Sequence, residues 1–141
     1  ATARERLLAS RLPPVVGHGA LTGVHVRWNE GPGGVPAAVV HGWDELTARP
    51  EAVLAGNVAA VFNALPGQPR IAPVVDGERV LAAYQAQAGR DFSTDEREVA
   101  WATSAWVACH AAALEHLAGA AGQATHQIVA DAALRLHLAG C

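Results

Sequence analysis

A chain of 141 residues, 51% hydrophobic and 16% charged, is long enough to bury the core of one domain, and a single domain over 1–141 is expected. Its formal charge of -3 leaves no basic footprint for nucleic acid or an anionic membrane surface, and no uninterrupted apolar run approaches the roughly 20 residues that cross a bilayer. Cys109 and Cys141 make no disulfide framework, and the amino end ATARERLLASR lacks the apolar stretch of a signal peptide, so a cytoplasmic setting is expected.

In chain order, residues 2–12 carry Leu7, Leu8 and Leu12 at helical spacing with Thr2 as N-cap, and Pro13 and Pro14 stop that helix. Val15 and Val16 read as a short strand entering a glycine loop at 17–19 that Gly23 closes. Three close glycines invite a phosphate-loop reading. The segment from Val24 to Trp28, however, alternates as a strand rather than opening a helix, so tight-turn geometry accounts for them. The turn at 30–34 leads to a second strand, Ala37 to His41, in a hairpin pattern. A helix follows from Pro50 to Phe62, with Pro50 in the first turn and Glu51 complementing the helix dipole.

Residues 63–73 form a loop rich in Pro and Gly. Asp76 is the expected cap of a helix reaching about Ala88, which Gly89 ends. Ser93 and Glu96 give a capping-box signature for the longest helix, 94–118, which Val99, Trp101, Trp106, Val107 and Leu114 make apolar over much of its circumference and therefore central. The last helix, about 122–139, has Ile128, Val129, Ala132, Leu136 and Ala139 on one side. The expected class is α+β, mainly α: a small β-hairpin region plus about five helices.

The stretch Val15 to Glu45, VVGHGALTGVHVRWNEGPGGVPAAVVHGWDE, resembles the catalytic segment of the aminoglycoside phosphotransferase family, small-molecule kinases sharing the protein-kinase fold. The runs Trp43 to Phe62 and Leu81 to Val107 are similar to the helical C-terminal lobe of its bacterial members, so the resemblance covers most of 10–118. In that family a His-Gly-Asp supplies the catalytic Asp, an Asn five residues later binds metal, and an Asp before Trp binds the second metal position. Here His18 and Gly19 stand, but those three positions are Ala20, His25 and Gly42. The resemblance thus implies the C-lobe of the protein-kinase-like fold, without a counterpart of the N-lobe and with degenerate catalytic residues. Phosphoryl transfer needs a carboxylate to orient the attacking hydroxyl and metal ions to neutralise phosphate charge; alanine and glycine supply neither. No kinase activity, no cofactor and no useful affinity for ATP with magnesium are expected.

The candidate chemistry is histidine chemistry. An imidazole titrates near neutrality and serves as acid, base or metal ligand. His25 stands at the metal-binding Asn position and His41 immediately before Gly42, so His25, oriented by His41 or Asp44, is a candidate acid–base group; the competing reading packs His25 against Trp28 or Trp43 as a polar wall. His18 is kept by the family as a structural loop residue. With Trp28, Trp43 and Trp106 it would line a ligand site suited to a hydrophobic molecule. Asp44 is the carboxylate expected to remain at the cleft, or else a cap near Thr47. No metal is expected, since no His-Glu-x-x-His spacing is present. His110, His116, His126 and His137 fall on helices as surface or packing residues, and Cys109 does not face His110.

Two functions compete. One is a degenerate phosphotransferase-like protein whose former acceptor cleft binds a small hydrophobic metabolite. Such a cleft would support a non-phosphoryl cyclisation, elimination or rearrangement in secondary metabolism, making the chain a lyase, isomerase or cyclase if it is an enzyme. The other is a non-catalytic pseudokinase module that docks a partner protein. The face without an N-lobe cover is expected either to be buried in a homodimer, through 15–45 or the first helix, or to be covered by the 122–139 helix folding back.

Overall fold

The computed structural model describes residues 1–62, 70–119 and 122–141. The expected loop at 63–73 falls largely outside them. Among the described residues, five helices and two small antiparallel sheets make an α+β, mainly helical fold. Helix α1 (Ala3–Ala9) is opened by a capping box in which the Thr2 hydroxyl accepts from the Glu5 amide and the Glu5 carboxylate accepts from the Thr2 amide. Strand β1 (Pro14–His18) comes next. A 3₁₀ turn at Gly23–His25 precedes β2 (Val26–Glu30), so the strand starts two residues later than the alternation from Val24 suggests. Strand β3 (Pro36–Val40) completes the expected hairpin, with Trp28 opposite Ala38.

Strand β4 (Leu46–Pro50) had no sequence expectation: it runs antiparallel to β1, with Gly17 opposite Thr47 and His18 opposite Leu46. Thr47 is therefore a strand residue and not the partner of a loop cap at Asp44. The β2–β3 hairpin is thus inserted between two strands that pair with each other, which draws the loop after β1 and the turn before β4 together.

Helix α2 (Glu51–Val61) leaves β4 directly, with Pro50 at its N-cap, and α3 (Val74–Ala88) ends at Gly89 in the left-handed conformation. The N-cap of α3 is Pro73; Asp76 lies inside the first turn, where it pairs with Arg79 at 3.0 Å. A carboxylate there complements the helix dipole equally well. Helix α4 (Thr94–Leu117) begins with the Ser93–Glu96 capping box and is central, packing against α1, α2 and α5 (Gln123–Leu138). Alanine supplies most of the buried apolar residues. The α2–α4 crossing is correspondingly tight, and a Cβ on Gly56 would collide with the Ala100 carbonyl oxygen.

The buried side of the last helix matches the expected one in part. Ala139 is buried as expected, but Val129 and Leu136 are exposed, and Ala124, Asp131 and Arg135 are buried in their place. Arg135 carries this face: its guanidinium donates to both Asp131 oxygens at 2.8 and 3.0 Å, to the Ser104 hydroxyl and to the Ala72 carbonyl. A buried charge requires such partners. Glu115, also buried, accepts from the Gly122, Ala124 and Thr125 amides at the start of α5. Although burial opposes its charge, these bonds hold its carboxyl below the usual 4.5. Helix α5 thus lies along α4 and reaches α3; it does not fold over the 15–45 face.

Candidate functional site

The loop after β1 is fixed by hydrogen bonds to the turn before β4 and to α2. Gly19 donates to the Glu45 carbonyl at 2.8 Å, Gly23 donates to the Phe62 carbonyl at 2.7 Å, and the Asn57 amide of α2 donates to the Gly19 carbonyl at 3.3 Å. Gly17 thus belongs to strand β1 rather than to the loop, and the amides of Gly19 and Gly23 are engaged by the protein. His25 and His41 extend the β2–β3 pairing through a 3.0 Å bond from the His41 amide to the His25 carbonyl.

Three histidines meet here. The rings of His18 and His25 are 4.7 Å apart between centroids, and those of His25 and His41 are 6.0 Å apart. The Nδ1 of His18 accepts from the Ala20 amide at 3.3 Å, which leaves the proton on Nε2 to be donated to the His41 carbonyl at 3.2 Å. Both nitrogens of this buried ring are thereby occupied, a structural arrangement. His25 Nδ1 accepts from the Thr22 amide at 3.2 Å, with the Thr22 hydroxyl at the same distance. Its orienting partner is Thr22; neither His41 nor Asp44 bonds to it. His41 Nε2 is buried without a hydrogen-bond partner among the described residues. Among those residues no group of three or more His, Cys, Asp or Glu is arranged to hold a metal ion.

The tryptophans divide. Trp43 lies 5.8 Å from the His18 ring, its indole donating to the Val40 carbonyl, and His25 has neither Trp43 nor Trp28 as a ring neighbour. Trp28 stands exposed on the hairpin, and Trp101 is buried. Trp106 is half exposed on the wall of an open cleft of about 770 Å³. This cleft is bounded by Ala20 and Asp44 on the loop side, by Leu8 on α1, and by Leu54 and Asn57 on α2.

Of the three candidate acid–base residues, Asp44 borders the cleft, while His25 and His41 lie behind the loop in the imidazole cluster. Asn57 and Leu54 had no role in the sequence reading. The one available signal was Asn57, a polar residue inside the alanine-rich run from Ala52 to Ala60. His110, His116, His126 and His137 are exposed on the helices, and Cys109 and Cys141 are free thiols. No helix is long and apolar enough to cross a membrane among the described residues. Comparison with protein-family models, with curated proteins and with solved structures gave no match for this chain.

Proposed function

We propose that this chain is a degenerate phosphotransferase-like C-lobe without kinase activity, whose cleft binds a small hydrophobic metabolite. The observation that carries the reading is the cleft of about 770 Å³ beside Ala20, walled by Trp106, Leu8 and Leu54 and edged by Asp44 and Asn57. Its size suits a drug-sized ligand, and a mostly apolar wall with a few polar groups is what orients one. The degenerate positions support the same reading. Ala20 offers a methyl group at the cleft, and Gly42 lies against His25, so the two positions matched to metal binding are neighbours that hold an imidazole and no carboxylate. A non-phosphoryl acid–base step of secondary metabolism, such as a cyclisation or elimination, falls to Asp44, which borders the cleft, rather than to His25 or His41.

The test combines thermal-shift and mass-spectrometric screening of metabolites with calorimetric titration of ATP and magnesium. A hydrophobic metabolite bound by the wild type and weakened about tenfold by Trp106→Ala is the expected result, a loss of about 1.4 kcal/mol. Micromolar, magnesium-dependent ATP binding overturns the reading.

A second reading, a docking module, is favoured by one observation: Val16, Trp28, Val39, Trp43 and Leu46 are all exposed on the strands and turns of the 15–50 segment, and large exposed apolar patches mark interaction surfaces. On this reading two copies meet through the segment. Light scattering of the 141-residue chain decides it, and a mass near 14.5 kDa at micromolar concentration sinks the homodimer.

A further inference from the structure

A second, smaller cavity of about 250 Å³ lies between β1, α2 and α3, on the other side of Leu54 from the large cleft. Its wall is aliphatic: Val15, Val16, Leu21, Leu54, Val58 and Val80. Its polar capacity is unusually easy to account for. His18 also borders it, and both of its ring nitrogens are already bonded, to Ala20 and to the His41 carbonyl, so it offers no free valence from its ring. One edge of the β1 backbone is committed to β4. Among the side chains that line the cavity, what remains is the pair at the opposite end, where the Tyr84 hydroxyl donates to Glu51 Oε1.

That pair can only accept. Glu51 is ionised, since the hydrogen bond from Tyr84 and the pairing with Arg90 hold its carboxyl below 4.5, and Tyr84 is pushed up to about 12 by burial and by Glu51. The tyrosine proton is spent on Glu51, leaving oxygen lone pairs toward the cavity. An apolar cavity of ~150 Å³ takes benzene and stays dry otherwise, so a space of about 250 Å³ suits a two-ring molecule of about ten non-hydrogen atoms. An anion meets the carboxylate, and a cation would compete there with Arg90, which already pairs with Glu51 and Glu96.

We infer that this cavity is a binding site for a neutral, two-ring aromatic molecule carrying one N–H or O–H donor, the ring filling the valine and leucine wall and the donor reaching the Tyr84–Glu51 pair. The site is distinct from the large cleft and does not depend on what that cleft holds.

The probes are indole and its oxygen analogue benzofuran, which has the same shape and no donor. Titration of each into the protein with methyl groups labelled for NMR reads both location and affinity. Saturable indole shifts at Leu21, Leu54, Val58 and Val80 are expected, with Leu8 unmoved and benzofuran weaker by about tenfold, the 1.4 kcal/mol scale of one hydrogen bond. Val80→Phe, which fills the cavity from the half-buried face of α3, is expected to abolish saturation while its amide spectrum stays folded. Should Val80→Phe unfold, Val58→Phe is the second filling variant. Shifts centred on Leu8 and Val107, equal affinity for indole and benzofuran, no saturable shift in the wild type, or undiminished binding in a folded filling variant overturns the inference.

Discussion

Gly42 lies against the ring of His25: a Cβ built on Gly42 would stand 2.8 Å from His25 Cδ2 and 3.4 Å from His18 Nε2. The backbone of Gly42 is left-handed, with φ 80°, a conformation that costs a residue with a side chain about 1–2 kcal/mol. The space that a side chain at position 42 would need is therefore filled by an imidazole. Gly42→Ala is expected to lose about 2 kcal/mol in urea unfolding. Gly42→Asp should lose a similar amount and gain no magnesium-dependent ATP binding; an unchanged unfolding midpoint for Gly42→Ala would contradict the contact.

Arg135 is fully buried, and its guanidinium ties α5 to Ser104 of α4 and to the Ala72 carbonyl. Removing one member of a buried pair strands the other, at a cost of about 3–5 kcal/mol. Arg135→Ala and Asp131→Ala should each fall in that range. The double variant should lose clearly less than their sum, because the second change removes the stranded partner. Strict additivity in the cycle would mean that the two charges do not interact.

Acid should act through the low carboxyls. The hydrogen bonds from Arg90 lower Glu96 to about 2, and the bonds at the start of α5 lower Glu115 below 4.5. Each folded value lies below the unfolded one, so the stability they contribute is fully present above about pH 4.5 and is lost as pH falls toward about 2. Urea midpoints measured across that interval should decline. Arg90→Gln should flatten the part of the decline that Glu96 causes, and an identical slope in this variant would assign the acid sensitivity elsewhere.

Gly56 tests the helix crossing. Alanine gains about 1 kcal/mol over glycine in a helix interior, but here its Cβ would overlap the Ala100 carbonyl, a backbone atom that no rotamer change removes. Overpacking of this kind costs about 1–3 kcal/mol, and the severity of the overlap puts it at the upper end. Gly56→Ala should therefore destabilise by about 2 kcal/mol net, despite its better helix propensity; a raised melting temperature would show that the helices separate freely.

The helices are legible in the sequence because their signals are local. Ser93 with Glu96, Thr2, and Gly89 each mark a boundary by chemistry that acts within a single turn. Strand β4 is not legible, because a five-residue strand with a proline and little apolar alternation owes its state to pairing with β1, more than 25 residues earlier. The inward face of α5 escapes a reading of periodicity for a related reason. Asp131 and Arg135 look like a solvated pair four residues apart, and nothing in their spacing announces Ser104 and Ala72 as partners. At the site, the residue types are readable but their depth is not. His41 and Asp44 are close in sequence and the hairpin brings His25 beside His41, yet the two imidazoles lie behind the loop and Asp44 borders the cleft.

The alanine-lined contact between α2 and α4 also bears on how the protein responds to temperature. Hydration of newly exposed apolar surface sets the heat-capacity increment of unfolding, ordinarily about 12–15 cal/mol/K per residue. Helices that meet through Ala52, Ala55, Gly56 and Ala59 on one side and Ala100 on the other expose little such surface when they part. The increment should fall at the low end, flattening the curve of stability against temperature. This chain would then resist cold better than a leucine-cored bundle of equal length, and its margin would change slowly between the two ends of the curve.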